Sequence, residues 1–202
     1  MEAATGQRPI DSDKAQRIVD AMRASVARRG VAASTFDHVA REANVSRGLL
    51  HYYFGTKERL LAEVVRRDTA VRMAMLDEVL AGARTADDFV GLLAASLRRT
   101  VREDPDFITL VFELFTLARR HPDVAAELAE MLRRMRSHIA GVLAAKQAEG
   151  VLHLRARPAA IADILLSLSD GISLRMVTDP GFDAEAATEA GTLAVRALLD
   201  DR

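Results

Sequence analysis

The chain has 202 residues, is 50% hydrophobic and 28% charged, and so has the means to bury a core and does not resemble a disordered sequence. It has no cysteine, which excludes a disulfide framework, cysteine zinc sites and a thiol nucleophile. The net charge of −1 hides an asymmetry, +4 over residues 1–67 and −5 over residues 68–202, which suits a polyanion-facing first module on an acidic body but also arises by chance.

The opening MEAATGQRPIDSDKA has no apolar centre and reads as a loose arm over residues 1–11 rather than a signal peptide. No charge-free apolar run approaches the ~18 residues of a membrane helix, so a soluble, cytoplasmic protein without membrane contact is expected. Helical spacing then recurs along the whole chain, and two-residue alternation is nowhere sustained, which predicts an all-α fold. Ile18, Val19, Met22 and Val26 form a first stripe that Gly30 is placed to stop. Phe36, Val39, Ala40 and Ala43 form a second, with Thr35 as its N-cap. Asn44 follows, a residue that tolerates the left-handed backbone of a tight turn.

Ser46 can cap a short third helix containing Leu50, Tyr53 and Phe54, which Gly55 ends. Thr56 opens a long fourth helix with Leu60, Leu61, Val64, Val65, Val71, Met75, Leu76 and Val79 as its apolar positions. Further helices are predicted over 86–103, 105–120, 122–149, 157–178 and 183–200, punctuated by prolines and Gly150. The segment FITLVFELFTLA is apolar almost all round and belongs in the middle of a bundle. A boundary inside the fourth helix divides the chain into residues 1–60 and residues 61–202.

On the short third helix, Leu50, Tyr53 and Phe54 share one side. Gly48 and Tyr52 point the other way, flanked by Arg47, Leu49 and His51. A glycine there forgoes ~1 kcal/mol of helix propensity relative to alanine, a loss that makes sense if another surface must approach the backbone. Two helices joined by a tight turn, after a supporting helix, make a helix-turn-helix whose second helix enters a DNA major groove.

The stretch STFDHVAREANVSRGLLHYYFGTKERLL, Ser34 to Leu61, resembles the DNA-binding signature of TetR-family transcriptional repressors. The matching positions are Thr35, Phe36, Val39-Ala40, Ala43, Val45-Ser46, Gly48, Leu50, Tyr53-Phe54, Thr56-Lys57-Glu58 and Leu60. Asn44 stands where the family usually has glycine, and His51-Tyr52 where an aromatic, often tyrosine, follows the leucine. The resemblance implies an N-terminal three-helix DNA-binding domain followed by a helical bundle for dimerisation and effector binding. Residue by residue, it implies that Thr35, Ser46 and Lys57 meet phosphates at helix starts. Gly48 would let the helix approach base edges, and His51 and Tyr52 would position it against the backbone. Leu49 suits a thymine methyl. Arg47 is the candidate for a guanine contact, with phosphate or solvent as the even alternative.

The C-terminal segment from Phe112 to Gly150 is similar to the BetI-like subgroup. The family resemblance implies a homodimer, a palindromic double-stranded operator and a small effector, here an apolar or amphipathic one. Phe107, Val111, Phe112, Phe115, Met131 and Met135 are pocket candidates, although ordinary core is the expectation for any one of them. Asp170, an acid in the apolar run LSLSDGISL, is either a structural carboxylate, the favoured reading, or a polar anchor for the ligand. For the dimer, Ile161, Ile164, Leu165, Leu168 and Ile172 form one stripe, and Ala187, Gly191, Ala194 and Leu198 another, together a four-helix interface.

The rival classes are a helical enzyme and a helical adaptor without DNA binding. No phosphate loop, nucleophile elbow or dinucleotide fingerprint is present, and His38, His51, His121, His138 and His153 show no metal-ligand spacing. No cofactor, metal or catalytic residue is therefore expected. An adaptor would leave the outward face at 47–52 without a purpose.

Overall fold

The computed structural model describes residues 13–199, so the arm expected over residues 1–11 lies outside the described residues. Those residues form nine helices: α1 (Asp13–Ala33), α2 (Phe36–Glu42), α3 (Arg47–Phe54), α4 (Lys57–Ala81), α5 (Ala86–Glu103), α6 (Pro105–Ala118), α7 (Pro122–Ala148), α8 (Pro158–Thr178) and α9 (Ala184–Leu199). The chain divides into two compact units, one of residues up to Asp68 together with Leu110–Leu128, the other of Thr69–Thr109 and the chain from Ala129 onward. The 60/61 boundary read from the sequence and this division both cut α4.

In the N-terminal unit the apolar stripes meet. Ile18, Met22, Val39, Leu50, Leu60, Leu61, Val64 and Val65 are all wholly buried, joined by Leu114 and Val124 from the segment after Leu110. The regular run of α1 breaks at Gly30 (φ 75°, ψ 167°), and a last turn, 31–33, continues beyond it. Thr35 accepts the His38 amide and starts α2. Asn44 takes φ 53°, the left-handed turn its short polar side chain tolerates. Gly55, at φ 72°, ends α3, and the Thr56 hydroxyl accepts the Arg59 amide at the head of α4.

Glu63, buried on α4, is held by Arg66 at 2.6 Å and Arg67 at 2.5 Å. Burial raises its carboxyl pKa, but the bonds and charges of the two guanidinium groups outweigh that and leave it below the usual range.

In the C-terminal unit, α5 starts with a capping box between Thr85 and Asp88, and α5, α8 and α9 pack on one another. Phe89, Leu143, Leu152, Ile161 and Leu199 are among the residues at the centre of its core. The segment after α7 is pinned to the end of α9, where the amides of His153 and Arg155 donate to the carbonyls of Leu199 and Leu198. Lys146 reaches the carbonyls of Ala81, the last residue of α4, and Ala83 just beyond it.

The inward stripe of α4 differs from its expected course. Val71 and Met75 are 58% and 50% exposed, while Leu76 packs against the core and Leu80 is part of it. The stripe keeps its helical period by passing through polar residues. Thr69 is buried with its hydroxyl 3.8 Å from the Met131 sulfur. Arg72 pairs with Asp104 at 2.6 Å and lies over the Phe107 ring. Among the described residues no helix is long and apolar enough to cross a membrane.

Candidate nucleic-acid interface

The face of α3 opposite Leu50 and Phe54 is open. Ser46, Arg47, Gly48, His51 and Tyr52 are exposed, Tyr52 at 60%, and Leu49 is half-buried. A Cβ added to Gly48 would meet nothing closer than the Ser46 hydroxyl at 3.9 Å. The glycine therefore serves no packing need inside the protein. Ser46 takes an extended N-cap backbone, but its side chain makes no capping bond, so its hydroxyl is uncommitted at the helix start. Thr35, by contrast, is exposed with its hydroxyl committed to the His38 amide.

Arg47 lies 3.3 Å from Asp37 on α2, a pair open to solvent on both sides. Such a pair contributes ~0–1 kcal/mol and yields readily to a stronger anion. Asp37 had no place among the sequence candidates. Its spacing from Arg47 is meaningful only once the turn at Asn44 brings α2 and α3 together.

His51 stacks edge-on against Phe36 at 4.8 Å, and its Nδ1 lies 3.0 Å from the Gly55 carbonyl. A carbonyl oxygen only accepts, so Nδ1 carries a proton in that bond. Nε2 then donates to a phosphate only when the ring is doubly protonated. Tyr52 packs edge-on against Tyr53 with ring centroids 5.3 Å apart.

Lys57 is only half-exposed. Its ammonium donates to the carbonyls of Val31 at 2.5 Å and Ala32 at 3.3 Å, at the end of α1. Burial lowers its pKa, countered by the charges of Glu58 and Glu113.

The pocket candidates are divided between the two units. Val111, Phe112 and Phe115 belong to the N-terminal one, where the two phenylalanine rings lie 6.2 Å apart. Phe107, Met131, Met135 and Asp170 belong to the C-terminal one. There Phe107 and Met131 are packed core residues. Asp170 is half-buried, with no bonded partner among the described residues, and burial pushes its carboxyl pKa up.

The dimer candidates separate as well. Ile161 is 1% exposed and at the centre of its own unit's core, so it offers a second chain no surface. Leu165, Leu168 and Leu198 pack partly against that core. A Cβ on Gly191 would meet Ile172 at 3.7 Å, so this small residue serves contact between α8 and α9 of the same chain. Ala187 is half-buried, and Ile164 and Ala194 are exposed. Most of the two stripes is thus the inward face of α8 and α9. The outward face carries Ile164, Leu174 and Leu193, with Ala186, Ala190 and Ala197 on the same side of α9 as Leu193. A reading by spacing finds apolar stripes without telling which of two faces looks inward.

Comparison with known proteins agrees with this geometry. The profile of the bacterial regulatory proteins of the tetR family matches residues 18–64. The C-terminal profile of BetI-type transcriptional repressors matches residues 86–200. The HTH-type transcriptional regulator BetI of Rhizobium meliloti is 28% identical over 137 residues, which span 66% of this chain and 64% of that protein. In fold, the chain is similar to the transcriptional regulator FadR of Bacillus subtilis, solved in complex with stearoyl-CoA, at 16% identity and a TM-score of 0.70 over 92% of this chain and 99% of the other. It is also similar to a Saccharomonospora viridis protein solved in complex with choline, at 20% identity and a TM-score of 0.71 over 93% and 97% of the two chains. With a helix-turn-helix whose second helix is open on its outer face, and with both profiles matched in order along its length, the chain belongs to the TetR family of DNA-binding transcriptional regulators, with a C-terminal module of the BetI type.

Proposed function

We propose that the protein is a homodimeric repressor that binds a palindromic operator through α3 and is released by a small amphipathic effector. The outer face of α3 is the observation that carries the reading. It gathers an arginine held only by a solvent-open pair, a glycine with space around it, an uncommitted hydroxyl and two ring side chains. In this reading Ser46, Thr35, His51 and Tyr52 position the helix on phosphates, while Gly48, Leu49 and Arg47 meet base edges. The dimer forms through the outward apolar faces of α8 and α9, including Ile164 and Ala194.

The effector reading rests on Asp170, a half-buried carboxylate without a bonded partner among the described residues. A carboxylate in an apolar helix favours a cationic amphiphile, and choline, the ligand of one structural relative, has that character. Release follows if the effector prefers a dimer whose recognition helices no longer sit one DNA turn, ~34 Å, apart. Moving repression from mostly on to mostly off takes up to ~5 kcal/mol of differential affinity.

Selection from a random duplex pool tests the reading. The protein is expected to retain one palindrome with affinity that falls steeply with salt. Arg47→Ala is expected to relax preference at one base position, at a cost of ~1–3 kcal/mol. Recovery of no preferred sequence would sink the operator reading, and an unchanged preference in the variant would remove Arg47 from the base-reading set.

A further inference from the structure

The first turns of α2 and α3 carry opposite charges. Asp37 is the second residue of α2, where a carboxylate suits the partial positive charge of a helix start. Arg47 is the first residue of α3, where a cation opposes that charge, and α3 has no acid in its own first turn. The turn at Asn44 brings the two side chains together, and Nη1 of Arg47 stands 3.3 Å from both oxygens of Asp37.

The guanidinium is thus held by one corner. Arginine has five N–H groups in a fixed plane, and those on Nε and Nη2 have no partner among the described residues. That free edge matches two acceptors side by side, as guanine offers with O6 and N7. An exposed pair is weak by itself. Its use here is to restrict the orientations of Arg47 before DNA arrives, so that less ordering remains to be done on binding.

A carboxylate beside a helix that enters DNA also repels phosphates, whatever the sequence. For affinity alone that is a loss. Selectivity gains from it, because an arginine that settles on a phosphate carries no sequence information. Discrimination is built from repulsive elements as well as attractive ones.

We propose that Asp37 is a specificity-determining residue of DNA reading. It holds one corner of the Arg47 guanidinium so that the opposite edge meets a base, and its charge keeps that arginine off the phosphates. The inference rests on the reading of α3 as the recognition helix and of Arg47 as its base-reading arginine. It adds an acid that touches no base and weakens binding to random DNA.

The test is Asp37→Ala in the full chain, with selection from a random duplex pool and salt titrations of the selected operator and a scrambled duplex. Discrimination at the base pair that Arg47 reads is expected to fall about tenfold, within the worth of one bidentate contact. Affinity for the scrambled duplex is expected to rise, and its salt slope to steepen by ~0.9, one further phosphate neutralised. An unchanged base preference overturns the proposal. If it comes with a lowered unfolding midpoint, Asp37 is a helix-start acid only. Should the alanine variant fail to fold, Asp37→Asn carries the same expectations.

Arg47→Ala separates the two readings. It should relax the same base pair, and Asp37→Ala should add nothing in its background, as for two residues acting as one unit. If Asp37→Ala still changes base preference with Arg47 gone, Asp37 reads DNA itself; the positioning role falls and α3 stands. If Arg47→Ala changes no preference, the base-reading role of Arg47 fails and this one with it. A wild-type protein with no preferred DNA sinks both.

Discussion

The outer face of α3 and the outer faces of α8 and α9 are both exposed in the chain, yet they are built on opposite plans. On α3 stand Arg47, Gly48, His51 and Tyr52; on α8 and α9 stand Ile164, Leu174, Ala186, Ala190, Leu193 and Ala197. DNA presents fixed charges and a donor–acceptor code, so a surface that reads it needs particular groups at particular spacings. A second copy of an all-helical chain presents mostly apolar surface, and the residues that meet it are those any core uses. The first kind of face announces itself chemically. The second is recognised by being left uncovered, since soluble chains seldom expose a continuous apolar patch without using it.

The sharpest way to break the contrast is Leu193→Asp. At 57% exposure the side chain is free of the core, so the fold should survive the charge. Two desolvated carboxylates facing one another across a two-fold interface would not be tolerated. The variant is expected to sediment as a monomer, and operator affinity should drop by on the order of 100-fold or more as one half-site is lost. A variant that remains a dimer would mean that the uncovered face of α9 is not the interface.

A second change separates folding from function on α3. With nothing closer to its missing Cβ than the Ser46 hydroxyl at 3.9 Å, Gly48→Ala should stabilise the helix by up to ~1 kcal/mol, raising the unfolding midpoint by about 2–4 °C for a chain of this size. The same methyl would stand between the helix and the groove, and operator affinity should fall roughly tenfold, the cost of disturbing one base contact. Thermal unfolding and a binding isotherm on one sample decide it. If both stability and affinity rise, the backbone at Gly48 does not approach the bases.

These differences explain what could be read from the residues alone. The helix boundaries followed from proline, glycine and cap positions, and α5 runs over the expected 86–103. The turn at Asn44 was legible because few residues accept its backbone. The α4 stripe departs from its expected course at Val71 and Met75 because its inward side runs through Thr69 and Arg72, polar residues packed against Met131, Asp104 and Phe107. Ile161 was misplaced for a related reason: spacing gives a face, and only packing says which way it looks. Lys57 matched a motif position whose implied partner is a phosphate. The carbonyls it meets lie at residues 31 and 32, a contact that no local pattern announces.

Asp170 offers the smallest effect and the finest test of the contrast, because, unlike Asp163 and Arg175 on the same helix, this α8 residue is a half-buried charge outside any ion pair among the described residues. Burial raises its pKa, and no bonded partner among the described residues offsets this. The sign of the pH dependence follows. Below the unfolded-state value of ~3.9 both states hold the proton and the carboxyl costs nothing. As pH rises, the unfolded chain ionises first, and stability is lost until the folded carboxyl has also ionised. Asp170→Asn removes that penalty. It should therefore unfold at a higher temperature than wild type at neutral pH, by on the order of 1–2 °C given the group's partial contact with water. The two midpoints should converge below about pH 4. Operator affinity in the absence of effector is expected not to change. Release of operator by choline is the remaining measurement: if Asp170 anchors a cationic effector as proposed, wild type should respond and the variant should not. A variant that releases DNA at the same choline concentration as wild type would leave Asp170 a structural carboxylate.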